Sequence, residues 1–175
     1  MKPNFIATSA HHSPIRNVNL CMMTASPVAL KHFEYGLKHS DLTERIIGIF
    51  YEVYSELGHG FLESTYAGAM AIALEEAGLT VAREVSVPVW FRQKRIGSHF
   101  AELLVENTVL LELKAARNLD SAHEAQLLHY LRATEIEIGL LLNFGLRPRF
   151  RRLLFDNQRK KIGGNVCESL SRVSA

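Results

Sequence analysis

The 175-residue chain reads as an α/β domain, a mixed central sheet flanked by helices in the order helix, helix, three-strand meander, helix, strand, strand. Three observations lead there. Apolar residues recur at helical spacing over two early segments, then switch to strand-like alternation from Val81 to Ala115. A third helical segment follows, and after it a nearly continuous apolar run, Ile136 to Phe144, as expected of a strand covered on both faces. A strand, a crossover helix and a returning strand predict a parallel pair beside an antiparallel meander.

The first helix is expected to start at Asp41 as N-cap, with Glu44 completing a capping box. Leu42, Ile46, Ile49, Val53 and Leu57 form its buried stripe, and Gly58-His59-Gly60 ends it. A second helix spans about Leu62 to Ala77, burying Leu62, Tyr66, Met70, Ala73 and Leu74, and stops at Gly78. The first strand, Val81 to Phe91, contains Pro88, which suits an edge or an irregularity. Gln93-Lys94 forms a polar turn. Ile96 to Val105 and Val109 to Ala115 form a hairpin. The third helix, Ser121 to Ala133, turns Leu127, Leu128 and Leu131 inward, and Phe150 to Phe155 supplies the last strand.

Residues 1–38 are rich in Ser, Asn, His, Pro and Thr, with Pro3, Pro14 and Pro27 interrupting any helix, and read as a flexible extension. Met22 and Met23 allow a start further downstream. Residues 39–161 form the domain, and 162–175, opening on Gly163-Gly164, a second tail. The two cysteines, Cys21 and Cys167, fall in these tails and make no disulfide framework or CxxC motif, which suits a reducing cytoplasm. No apolar run is long enough for a membrane span, and no secretory signal is visible. With 20 basic against 18 acidic residues, overall charge selects no partner.

Charges inside the hairpin stand out. With a loop of Glu106-Asn107-Thr108, Val105 faces Val109, and the same register sets Glu102 opposite Glu112, with Lys114 on Glu112's face. A two-residue turn at Glu106-Asn107 instead pairs Glu102 with Leu111 and sends the acids to opposite faces. The plainer reading is a salt-bridged hairpin on a wet sheet face. The functional one is a Mg²⁺ site, since two carboxylates and an ammonium are costly to bury unless they pair or hold a cation. Glu63, in Gly60-Phe61-Leu62-Glu63-Ser64-Thr65-Tyr66, alone needs no more than a favourable helix dipole. Gln126, flanked by His123 and Tyr130 on a polar-edged helical stripe, alone needs no more than a satisfied flank.

Together these segments resemble one family. Gly60, Glu63 and Tyr66 match the signature of the GxxExxY proteins, which are assigned to the PD-(D/E)XK nuclease-like superfamily. The resemblance continues through Ala101 to Val105, Glu112 to Ala115, His123 to Leu131 and Leu141 to Gly145, covering about residues 40–156. It implies a PD-(D/E)XK-like core and a Mg²⁺-dependent (or Mn²⁺-dependent) nuclease. Glu63, Glu102, Glu112, Lys114 and Gln126 correspond to the catalytic set. The metal ligands implied are Glu63, Glu102, Glu112 and the carbonyl of Leu113, with His123 and Tyr130 at the site edge. One departure matters: Glu102 stands where the family usually has Asp, adding a methylene and a rotatable bond to a ligand of an ion that demands near-ideal geometry.

The expected reaction is phosphodiester hydrolysis, with nucleic acid as partner and DNA favoured over RNA. The alternative is a nuclease-fold module, weak or inactive in catalysis, that binds nucleic acid or a protein. Arg147, Arg149, Arg151, Arg152, Arg159, Lys160 and Lys161 crowd one region, and Arg149, Arg151 and Arg152 are candidate phosphate contacts. The same residues also suit a solvated edge strand that resists aggregation. A zinc site from His59, His99, His123 and His129 lacks any recognised ligand spacing.

Overall fold

A computed structural model of the protein describes residues 38–160. The expected N-terminal extension, the C-terminal tail, both cysteines and Lys161 lie outside these residues. Helix α1 (Ser40–Leu57) and helix α2 (Glu63–Glu76) precede strands β1 (Val81–Phe91), β2 (Lys94–Val105) and β3 (Val109–Lys114). Helix α3 (Ser121–Ala133), strands β4 (Ile138–Asn143) and β5 (Arg149–Leu154) and a 3₁₀ turn (Asn157–Arg159) complete the order. The sheet runs β1-β2-β3-β4-β5, with β3 and β4 parallel and the other neighbours antiparallel. This is the mixed sheet expected from the crossover. Among the described residues, no helix is long and apolar enough to cross a membrane.

The sheet separates two cores. One face packs Leu103, Val105, Leu111, Leu113, Leu140 and Leu142 against α1 and α2. The other packs Leu104, Leu110 and Leu141 against Leu127, Tyr130 and Leu131 of α3. β3 and β4 are buried along nearly their whole length because both faces are covered, and this is why they read as unbroken apolar runs. α3 approaches β4 closely: a Cβ on Gly139 would lie 2.7 Å from a Leu127 methyl.

Several element details differ from the sequence reading. The N-cap of α1 lies two residues earlier than expected, at His39 in a left-handed conformation and with no side-chain cap. Asp41 sits in the first turn, and Thr43 Oγ1 donates to the Ser40 carbonyl instead. Leu62 is not buried: it is the extended N-cap of α2, with 76% of its surface exposed. On α3 the third inward residue is Tyr130, 5% exposed, while Leu128 is only half-buried. A tyrosine can take that place because its ring is apolar and its hydroxyl finds a partner in Gln126.

Candidate active site

The site forms where β2 parts from β3. The β2–β3 ladder pairs Val105 with Val109, Leu104 with Leu110 and Leu103 with Leu111. This is the register of the three-residue loop, although the turn itself closes at Glu106 and Asn107. Both of these take positive φ, and Thr108 N–H donates to the Val105 carbonyl at 2.9 Å. Beyond Leu103 the cross-strand bonds stop and the Glu102 side chain takes over. Its Oε2 accepts the Leu113 N–H at 2.5 Å.

Register alone therefore does not place the Glu102 carboxylate. Leu103 faces α1 and α2, whereas Ala101, two residues away, joins the α3 cluster. Residues two apart normally share a face, so the strand turns over at Glu102. On β1, the partners Arg83 and Val85 flank Glu84, which sits at φ +51°. Glu102 thus does not simply stand over Glu112; its carboxylate enters the gap beside β3.

The end of β3 is held from the other side. Phe144 N–H donates to the Lys114 carbonyl at 2.7 Å, so this carbonyl faces β4. Strand alternation then turns the polar groups of Leu113 and Ala115 toward the edge that β2 has left. Carboxylates satisfy both amides: Glu102 at Leu113, and Glu63 Oε1 at Ala115, 3.2 Å away. The Leu113 carbonyl lies along the same edge.

Glu63 is brought there by its loop. Gly60 adopts φ +112°, a conformation that disfavours any side chain. Tyr66 is fully buried and stacks on Phe144 at 4.1 Å between ring centroids. Its hydroxyl donates to the Gly58 carbonyl at 2.9 Å and accepts the Phe61 N–H at 3.2 Å. The three residues of the GxxExxY signature are thereby a unit: a turn, an acid at the start of α2, and a tyrosine that ties the turn to the helix.

Glu112 is 1% exposed. Its Oε1 accepts from Lys114 Nζ at 2.7 Å, while its Oε2 is buried without a hydrogen-bond partner among the described residues. Burial pushes its carboxyl above the ordinary range against the pull of Lys114. Burial, and then the charge of Glu112, push Glu102 up to about 7. For Lys114 burial acts downward, but the hydrogen bond and charge of Glu112 outweigh it and its ammonium is held more firmly than usual. Glu63 adds to the field at all three residues. Buried Glu112 and half-buried Glu102 thus set two acids against one ammonium, with one buried acceptor unfilled.

On α3, Gln126 Nε2 donates to the Tyr130 hydroxyl at 2.9 Å. Burial raises the Tyr130 phenol, and the charges of Glu112, Lys114 and Glu102 all reach it. His123 completes the capping box of its helix: Asp120 accepts the Ala122 and His123 amides, and His123 Nδ1 accepts the Asp120 N–H at 3.2 Å. The neutral ring therefore carries its proton on Nε2. Those backbone hydrogen bonds, that of His123 first, hold Asp120 below the usual carboxylate range.

Sequence reasoning gave no role to Asn143 and Gly145. Asn143 is fully buried; its Oδ1 accepts the Ala116 N–H at 3.0 Å and its Nδ2 donates to the Ala116 carbonyl at 2.9 Å. A Cβ on Gly145 would fall 2.1 Å from that carbonyl. A lone Asn closing a run of leucines was the available signal. The basic region, by contrast, divides. Arg151 pairs with Glu124 at 3.4 Å, Arg152 lies on the opposite face, and Lys160 Nζ donates to the Thr134 and Ile136 carbonyls. Arg149 remains exposed at the site end of the sheet, in one row with Asn143 and Lys114. Strand alternation separates Arg152 from the other two.

Among the described residues, no three side chains of the His, Cys, Asp and Glu type form a group able to hold an ion. Glu63, Glu102 and Glu112 share one electrostatic field without closing into a three-carboxylate cage. Glu102, Glu112 and the Leu113 carbonyl are the oxygens that could hold a cation here. The orphaned Glu112 Oε2 and the unbalanced charge fit one, and Mg²⁺ commonly takes one or two carboxylates and keeps several waters.

A model of the PD-(D/E)XK nuclease superfamily matches residues 40–153. Among solved structures, the crystal structure of SSO0001 is 18% identical, with a TM-score of 0.41, over 52% of this chain and 49% of that one. The match thus spans about half of each chain. No curated protein matches.

Proposed function

We propose that this chain, which belongs to the PD-(D/E)XK nuclease superfamily, is a divalent-metal-dependent nuclease of the GxxExxY type, hydrolysing phosphodiester bonds with DNA as the favoured substrate. The observation that carries the reading is the buried, unpartnered Glu112 Oε2 beside a Glu102 whose carboxyl is pushed up to about 7. Such a pair is poorly matched to a metal-free site and well matched to one that receives a cation. Glu102, Glu112 and the Leu113 carbonyl would hold Mg²⁺ or Mn²⁺, with Glu63 supporting from the helix end. When bound, such an ion polarises a phosphate oxygen and lowers the pKa of bound water.

The chain's own groups do the rest. Lys114, oriented by Glu112 at 2.7 Å, keeps its proton and sets a positive charge where negative charge builds on the scissile phosphate. Glu63 fixes the Ala115 amide and with it the end of β3. Gln126 holds Tyr130 at the α3 border of the site, and Arg149 offers a phosphate contact in the row of Lys114. The proposed compartment is a reducing cytoplasm, for a chain with only two cysteines.

The test is cleavage of duplex DNA, single-stranded DNA and RNA with Mg²⁺ or Mn²⁺, comparing the native chain with Glu112→Ala. Loss of cleavage in the variant supports the reading; equal cleavage by both places the activity elsewhere. Glu102 in the position of an Asp, with its Oε2 already engaged by Leu113, favours a second reading, a binding module without turnover. Absence of cleavage in both the native chain and Glu102→Asp would favour that module.

A further inference from the structure

We propose that the outer β1–β2 ribbon is an arm that enters the major groove of duplex DNA, a partner assignment that rests on the nucleic-acid reading above. β2 pairs with β3 only over Leu103 to Val105, while its pairing with β1 runs on to Lys94. Everything on β2 from Glu102 back to Lys94 thus belongs to a two-stranded ribbon leaving the sheet at the level of the carboxylates. Val87 and Ala101 still pack with α3 at its base, and His99 lies 6.2 Å from Tyr130 between ring centroids. Beyond them no described element packs on the arm, and residues 90–97 are all exposed.

The chemistry of the arm is one-sided. From Val85 to Ala101 there is no acidic residue, while Arg92, Lys94 and Arg95 crowd the tip. Those three cations exceed the +2 formal charge of the entire chain. Aromatic rings stand across the ribbon from two of them. Trp90, the single tryptophan, pairs in register with Arg95, Phe91 pairs with Lys94, and the Arg92 guanidinium lies 5.2 Å from the Phe91 ring centroid. A solvent-exposed tryptophan and phenylalanine on an edge ribbon invite aggregation unless a partner covers them. Arg92 and Gln93 both take positive φ, where Asn and Gly are the favoured residues. The tip keeps a cation at a position whose backbone disfavours it.

Size selects the partner. A two-stranded ribbon fits the major groove of B-form DNA, whereas the deep, narrow groove of A-form RNA excludes side chains. The eight steps from Glu102 to Lys94 span about 27 Å of strand, or roughly eight base pairs of duplex from the carboxylates. A tip that far along the helix binds the backbone flanking the cleaved bond without touching it, adding affinity that is independent of the chemical step.

Trp90 supplies the probe. Titrating the full chain with a 24-base-pair duplex in EDTA, where metal-dependent cleavage is blocked, should quench its fluorescence. In the variant Arg92→Ala/Lys94→Ala/Arg95→Ala, affinity for duplex should fall at least about tenfold, and the slope of log K against log salt should shrink by about 2.7. Arg92→Gly, which suits the positive φ, should remove about one unit of slope without loss of folding. An unchanged slope in the triple variant, tighter binding of single-stranded DNA or double-stranded RNA than of duplex, or a change confined to self-association would each overturn the arm. Ribbon-dependent binding by a chain that cleaves nothing would retire the hydrolytic reading and leave the arm standing. Cleavage with an unaltered salt slope would do the reverse.

Discussion

The proposed chemistry rests on Glu102 and Glu112, whose negative charge the fold makes expensive. The sign of the resulting pH effect follows from Glu102. Its carboxyl is raised from 4.5 to about 7 by burial first and Glu112 second, so the folded chain holds its proton more tightly than the unfolded chain. This group therefore contributes stability below about pH 4.5 that is lost as pH rises through 7. The full swing is on the order of 3 kcal/mol. Glu102→Gln, which still offers an oxygen to the Leu113 amide, should flatten that loss and raise the metal-free melting temperature at pH 8, while abolishing cleavage. Thermal melts at pH 5 and pH 8 check this; a variant less stable than the native chain at pH 8 would contradict it. The acids themselves were legible in the sequence, since charges inside leucine runs are conspicuous. The Glu102 contact with a backbone amide was not, because alternation alone gives no sign of a strand that turns over at one residue.

At the scale of elements, the site depends on how the end of β3 is clamped. Asn143 and Gly145 hold Ala116 from the β4 side, and Glu63 holds Ala115 from the α2 side. Gly145→Ala should force a methyl into the Ala116 carbonyl and destabilise the fold by about 1–3 kcal/mol. Its activity should fall further than its melting temperature alone explains. Tyr66→Phe removes the tie between Gly58 and Phe61, and a loss of about 1–3 kcal/mol is expected from the freed backbone groups. Denaturant unfolding measures both, and a neutral Tyr66→Phe would show that the turn holds Glu63 unaided. Helix and strand identity were readable from periodicity, whereas the sequence left two hairpin registers open and the pairing of Val105 with Val109 decides between them. The third helix starts at Ser121 as expected, but the start of α1 was not legible. The α1 N-cap fell on His39 through its backbone conformation rather than through a capping side chain, and Tyr130 passed for a polar edge residue because its hydroxyl hid a buried ring.

Across the described residues, the candidate site lies at one end of the five-stranded sheet. The crossover that makes β3 and β4 parallel brings Lys114, Asn143 and Arg149 into one row, while β1 and β2 project past it. The parallel pair beside the antiparallel meander could be read from the chain because short connections and a crossover helix leave few alternatives. The split of the basic cluster could not, since partners such as Glu124 and the Thr134 carbonyl come from elements distant in sequence. Cation binding should couple to the whole fold: millimolar Mn²⁺ should raise the melting temperature more at pH 8 than at pH 5.5, where a proton occupies Glu102. Equal shifts at the two values would place the ion away from the acids. The decisive measurement is an anomalous difference map from crystals grown with Mn²⁺. A peak bound by the carboxylates of Glu102 and Glu112 and the carbonyl of Leu113 is the expected result. Well-ordered density for those residues with no peak there, or a peak bound only elsewhere, would contradict a metal-dependent site in this protein.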